Sequence, residues 1–356
     1  IKAAGMPRFY PILMVRKREL NGNDLRQCLR IAFGGTLGFM LCKIMGWNYG
    51  AFFTVTPILL LGLVPRLNGH VIRQFLANMT LVSVAVLVLQ GLLGDKPIPM
   101  TLVVVALFAL LFREMARGPN FLFGAMSIVN LSMQMHFASY PQADVFDIVT
   151  SNMMAVLLTL FIAGLMQSLF PDVEPRQPRQ MPKKPLSNQR HEVILATTVA
   201  TLSFVGFQVM DLQGSLSAQV ATILVLFPMN WKGAGPAGWN RAIGTLVGCN
   251  FGLLIQFVLM NHFSVLPFIA LGLWLSLMLF ARYHMLEGGM SAAGFSALTT
   301  MAILFGQYVS PQQDLIYSDL YRFSSLAVAV LLALMAVYLM HHLLNRFQST
   351  RLQPLS

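Results

Sequence analysis

Along its length the chain alternates long apolar runs with short segments rich in charge, proline or glycine. The runs predict membrane-spanning helices over 25–43, 47–65, 71–93, 98–112, 119–138 and 148–170, and again over 192–210, 215–231, 239–261, 265–281, 288–308 and 321–344. Between the two sets lies PDVEPRQPRQMPKKPLSNQRH, residues 171–191, whose prolines and charges disfavour a continuous helix and predict a solvated linker. The chain therefore divides into a basic segment over 1–24, a first membrane half over 25–170, the linker, a second half over 192–347 and a tail over 348–356. The fold class expected is all-α integral membrane, with about twelve transmembrane helices arranged as two parallel six-helix repeats.

Composition removes the soluble alternatives. Hydrophobic residues make up 56% of the chain and charged residues only 10%, which leaves too little polar surface for a water-facing domain. The net charge of +11 does not mark a nucleic-acid binder, because the Lys and Arg residues sit in short clusters between apolar runs. They read as topology signals. With both termini and the linker on the cytoplasmic side, that side collects most of the cations, while the opposite loops hold Asp95, Asp144, Asp147, Asp211, Asp314 and Asp319. The first apolar run is followed by no small-residue cleavage site, so it is expected to remain a span rather than a signal peptide. Cys28, Cys42 and Cys249 form no CxxC or Cys/His pattern, and neither a disulfide framework nor a metal or other cofactor site is expected.

The halves repeat weakly. In each, an apolar run ends near Pro65 or Pro228, a glycine-bearing basic loop follows, and the next span carries Arg73 or Arg241. Arg113 and Glu114 correspond in the same way to Arg282 and Glu287. Polar side chains inside spans are costly, which makes them candidates for a pathway as well as for helix packing. Ser127, Asn130 and Gln134 share one face of the fifth span, with His136 near its outer end. Thr299 and Thr300 belong to a milder hydroxyl face in the eleventh span, and Thr54 and Gln219 to the second and eighth. Together these seven are the candidate substrate-binding residues, and both stripes are expected to line one central cavity. Asn78, Gln90, Asn250 and Gln256 read as packing residues. Arg73, Arg113, Arg241 and Arg282 are expected at the cytoplasmic entrance, where a ring of cations would attract an organic anion. His136, Asp211, Glu114 and Glu287 are the titratable candidates for proton coupling. No P-loop is present, and no paired carboxylates or clustered His and Asp mark a lipid-modifying enzyme, so a non-enzymatic protein is expected.

LRQCLRIAFGGTLGFMLCKIMGWNYGAFFTVTPILL, with Arg26 and Arg30 ahead of a glycine-rich span and an aromatic WNYGAFF turn, resembles the fusaric acid resistance and aromatic acid exporter superfamily. WNRAIGTLVGCNFGLL is similar to its Arg-x-x-Gly-Thr-x-x-Gly pattern at Arg241, Gly244, Thr245 and Gly248. The first half has a degenerate form, in which Leu76 and Ala77 follow Arg73 where the pattern has Gly-Thr. The resemblance implies an inner-membrane efflux component for aromatic carboxylic acids or related hydrophobic anions, working with a periplasmic membrane-fusion adaptor. It also implies a compact branch, since the linker stands where larger exporters carry a cytosolic domain. A functional monomer and a larger oligomer are both compatible with it. The competing expectation is a non-transporting scaffold subunit that anchors a periplasmic partner.

Overall fold

The computed structural model describes residues 19–140, 143–175, 184–210, 212, 215–259, 265–287, 293–308 and 315–353. Among these, twelve helices follow one another: α1 (Gly22–Met45), α2 (Gly50–Leu63), α3 (Gly69–Leu93), α4 (Pro97–Arg117), α5 (Phe121–Ala138), α6 (Val145–Leu169), α7 (Leu186–Val209), α8 (Leu216–Val225), α9 (Trp231–Val258), α10 (Leu266–Glu287), α11 (Ala293–Tyr308) and α12 (Leu315–Leu344). Nine of the described helices are long and apolar enough to cross a membrane, while α2, α8 and α11 are shorter apolar helices. The protein is a multi-pass membrane protein.

Local chemistry sets the helix ends. Asn21 and Asp24 form a reciprocal capping box at the start of α1, and Gly46 closes that helix in the left-handed region at φ 65°. Tyr49 also has positive φ, 53°, a strained conformation for a residue with a Cβ. Its ring is held 5.1 Å from Phe137, while Trp47 stacks on Phe53, so the aromatic WNYGAFF turn fixes the entry to α2.

Several expected boundaries shift, among them the ends of α4 and α10, which run on to Arg117 and Glu287 from the expected 112 and 281. Helix α7 begins at Leu186 rather than 192, so the last part of the expected linker is helical. The run expected over 215–231 is cut short: α8 stops at Val225, and α9 starts at Trp231 instead of 239. The cause is Asn230, whose side chain accepts from the Gly233 N–H at 2.8 Å and starts a new helix. Helix α12 starts at Leu315, ahead of the expected 321. Residues 176–183 of the linker and 288–292 of the expected eleventh span lie outside the described residues.

Contacts between sequence-distant residues define two ends of the bundle. At the end where α1 starts, Arg30 donates from Nε to the Phe170 carbonyl at 2.8 Å and from a terminal nitrogen to the Pro65 carbonyl at 2.9 Å, and it pairs with Asp172 at 2.6 Å. The Gln74 side-chain oxygen accepts from the Phe123 N–H at 2.7 Å, and Phe121 meets Phe227 edge-on. At the opposite end Asn48 donates to Asp147 at 2.7 Å, and Gln208 donates to the Ser139 hydroxyl at 2.7 Å. Chain direction thus alternates from helix to helix, as short connections between spans require.

Helices α2, α5 and α8 are buried along nearly their whole length. Around them, α3, α4, α9, α10 and α12 turn apolar side chains outward, among them Leu102, Phe257, Leu271 and Leu331. A water-soluble bundle has the reverse arrangement; here the exterior is lipid-compatible and the polar side chains lie inside. The halves are interleaved: α1 packs on α10 and α4 on α7, while α2 packs on α11 and α5 on α8.

Candidate binding site

The interior holds two polar features of different character. The first is the stripe on α5. Ser127, Asn130 and Gln134 recur at three- and four-residue spacing and are all buried, together with neighbouring Ser132. The Ser127 and Ser132 hydroxyls, the Asn130 amide nitrogen and both polar atoms of the Gln134 amide have no hydrogen-bond partner among the described residues. Each such buried group costs about 1–3 kcal/mol.

The stripe has company at its own depth. Gln219 of α8 is buried with its side-chain oxygen unpaired. Because Phe121 touches Phe227, the rise of 1.5 Å per residue puts Asn130 about 13 Å and Gln219 about 12 Å from that common level. Two residues that sequence reasoning undervalued also belong here. Asn78, read from the sequence as packing, lies one turn beyond Gln74 on the α3 face that meets α5, and both its amide atoms are unpaired. Asn152 of α6, not singled out at all, is fully buried with both amide atoms unpaired. The available signal was an asparagine in line with Thr159, two turns further along a mainly apolar span.

The second feature is the α9–α11 seam. Arg241 is only 4% exposed, and its terminal nitrogen donates to the Thr299 hydroxyl at 2.6 Å. It therefore lies inside the bundle and not at a solvated entrance, because α9 begins at Trp231 and carries Arg241 about 15 Å along its axis. No carboxylate pairs with it among the described residues, and its Nε is unpaired. Ser296 donates to the Arg241 carbonyl at 2.8 Å, Thr245 and Thr300 share a hydrogen bond at 3.1 Å, and Thr299 and Thr300 also donate back to the Ser296 carbonyl. The glycines make this approach feasible: a Cβ on Gly244 would overlap the Ala293 carbonyl oxygen, and one on Gly248 would press on Thr300. The Arg-x-x-Gly-Thr-x-x-Gly pattern is thus a helix-packing seam with a cation set into it.

The remaining candidates are dispersed. Thr54 is buried beside Gly306 at the α2–α11 crossing, and its hydroxyl donates to the Gly50 carbonyl at 2.7 Å. Arg73, Arg113 and Arg282 are exposed, in contrast to Arg241, and Arg73 donates to its own helix at Gly69. His136 is buried at the far end of α5, its ring against Phe137 and Tyr140. Glu114 accepts from Arg117 and Asn120 and braces the α4–α5 turn. Glu287 accepts from the Gly294 N–H at 2.8 Å and caps α11. Asp211 lies outside the described residues. Helix α5 packs chiefly against α3 and α4 of its own half, and α11 chiefly against α9, with α8 and α2 as their partners from the opposite half.

Residues 195–336 match the family described as fusaric acid resistance protein-like. Residues 27–166 match a family described as protein of unknown function, DUF2955. No curated protein and no solved structure gives a significant match.

Proposed function

We propose that this chain, whose residues 195–336 match the fusaric acid resistance protein-like family, is an efflux transporter for small aromatic carboxylic acids or related hydrophobic anions. The observation that carries the reading is the α5 stripe, where buried amides go without partners in the middle of an apolar bundle. Helix packing alone gives no return on that cost, whereas a passing solute with hydrogen-bonding groups does.

The finer parts of the proposal follow from the same geometry. Packing partners interchange between halves: α1–α10 with α4–α7, α2–α11 with α5–α8, α3–α5 with α9–α11, and α2–α6 with α8–α12. This supports two six-helix repeats related by an axis along the membrane normal, rearranging about the interior polar groups. Exposed Arg73, Arg113 and Arg282 would gather anions at the cytoplasmic mouth, and Arg241, with no carboxylate partner among the described residues, would meet an acidic group inside. Location in a bacterial inner membrane with cytoplasmic termini, and a periplasmic membrane-fusion adaptor as partner, complete the reading.

The test is accumulation of labelled hydroxybenzoate in cells with and without the protein and its adaptor, before and after an uncoupler. Lower accumulation that the uncoupler abolishes, and that Gln134→Met also abolishes at equal expression, is the expected result. Equal accumulation with the protein present in the membrane would discard this substrate class and leave the scaffold alternative.

A further inference from the structure

We infer that the amides of α3, α5, α6 and α8 form one layer that accepts solutes only in uncharged form, with Asn78 and Asn152 as binding residues alongside Asn130, Gln134 and Gln219. An organic acid would cross this layer protonated, carrying its own proton. The inference rests on the transport reading and specifies which protonation state the site takes.

Register spreads the five amides over about 10 Å of the bundle axis, from the level of Asn78 to that of Gln134. Asn130 and Gln219 share a depth through the Phe121–Phe227 contact, and Asn78 sits level with Ser127 through the Gln74–Phe123 bond. Asp147 is tied to Asn48, next to Tyr49, whose ring meets Phe137. Counting back from that level, Asn152 lies about 7 Å inward, between Gln134 at about 5 Å and Asn130 at about 10 Å. The four helices also pack on one another: α3 on α5 and α6, and α5 on α6 and α8.

The chemistry of the layer is balanced and neutral. Unpaired amide nitrogens come from Asn78, Asn130, Gln134 and Asn152, and unpaired amide oxygens from Asn78, Gln134, Asn152 and Gln219. Such a wall matches a group that both donates and accepts: a carboxamide, a phenol or a protonated carboxyl. Among the described residues, no Lys, Arg, Asp or Glu of these four helices is buried; the imidazole of His136, two residues beyond Gln134 on α5, is buried against Phe137 and Tyr140, and Arg241 belongs to the α9–α11 seam. A carboxylate would therefore enter with no Lys or Arg of these helices to pair it and against acceptor oxygens, which costs several kcal/mol. The layer is closed in this structure, so a solute reaches it when the helices part; Met126, Met133 and Met135 give α5 adaptable packing there.

The experiment is calorimetric titration of the purified full chain in micelles with benzamide, benzoate and 4-nitrophenol, whose hydroxyl titrates near neutrality, at about pH 6 and about pH 8. Expected are pH-independent benzamide binding, a roughly tenfold loss of 4-nitrophenol affinity at the higher pH, and no benzoate binding that Gln134→Met removes. Asn78→Leu and Asn152→Leu should each weaken benzamide at least tenfold with no fall in thermal stability, whereas a purely structural role would lower stability and leave affinity unchanged. Benzoate bound as tightly as benzamide and lost in Gln134→Met would overturn the inference and keep the transport site. Unaltered benzamide affinity in both asparagine variants would remove those residues from the layer and overturn the inference as well. If none of the three probes binds the wild-type chain, the α5 site itself falls, and the inference with it.

Discussion

The α5 layer and the α9–α11 seam solve the problem of buried polarity in opposite ways. In the seam nearly every polar group is spoken for: Thr245, Ser296, Thr299 and Thr300 bond to one another, to backbone or to Arg241, and glycines bring the helices close enough to allow it. In the layer the amides of Asn78, Asn130, Gln134 and Asn152 have packing but few hydrogen bonds. A seam so bonded resists separation, whereas a layer so underbonded loses little when helices part and gains when a solute arrives. The comparison therefore assigns rigidity to the α9–α11 seam and the moving contacts to the helices that carry the amides.

Substitutions sharpen this contrast, and the largest effect belongs to the seam's backbone. Gly244→Val forces a side chain into the Ala293 carbonyl and Ser296 and should cost about 3 kcal/mol; an unchanged unfolding temperature in detergent would mean that the helices are not in close contact. Next is Thr299→Val, which takes the hydroxyl acceptor from a buried guanidinium and should cost about 2 kcal/mol, read in the same thermal assay. Restoration by Thr299→Ser would tie the loss to that hydrogen bond. Thr245→Val removes one interhelical hydroxyl bond and should cost about 0.6 kcal/mol, close to the mean for such bonds in membrane bundles. Smallest in stability is Gln134→Met, which replaces an unpaired amide by an apolar chain of similar length and should leave unfolding unchanged or raised while export falls more than tenfold. A Gln134→Met protein as destabilised as the Thr299→Val one would erase the distinction between the two regions.

The positions of the spans were legible because apolar runs bounded by charge and proline are the strongest signal a sequence carries, and each predicted run corresponds to a described helix. What misled was depth. Arg241 follows a glycine-rich basic loop, as an interfacial arginine does, yet the Asn230 cap begins the helix early and carries it into the interior. The α5 stripe stood out because three polar residues recur on one face. Asn152 did not, because no polar side chain stands three or four residues from it and its same-face neighbour Thr159 is a full two turns away. Its significance comes from its complete burial without a partner among the described residues, and that is tertiary information.

The Arg30 clamp bears on how the protein is made. Its partners, Pro65, Phe170 and Asp172, all precede the second half in the chain. The clamp can close while the ribosome is still producing α7, tying the first six helices into a bundle before their later neighbours exist. That intermediate would hold the faces of α1, α2, α4 and α5 open to lipid until α7, α8, α10 and α11 insert against them. Biogenesis then has two stages, closure of one half followed by docking of the other, and an Arg30 lesion should appear first as failed insertion of newly made chains and only second as weakness of the finished protein.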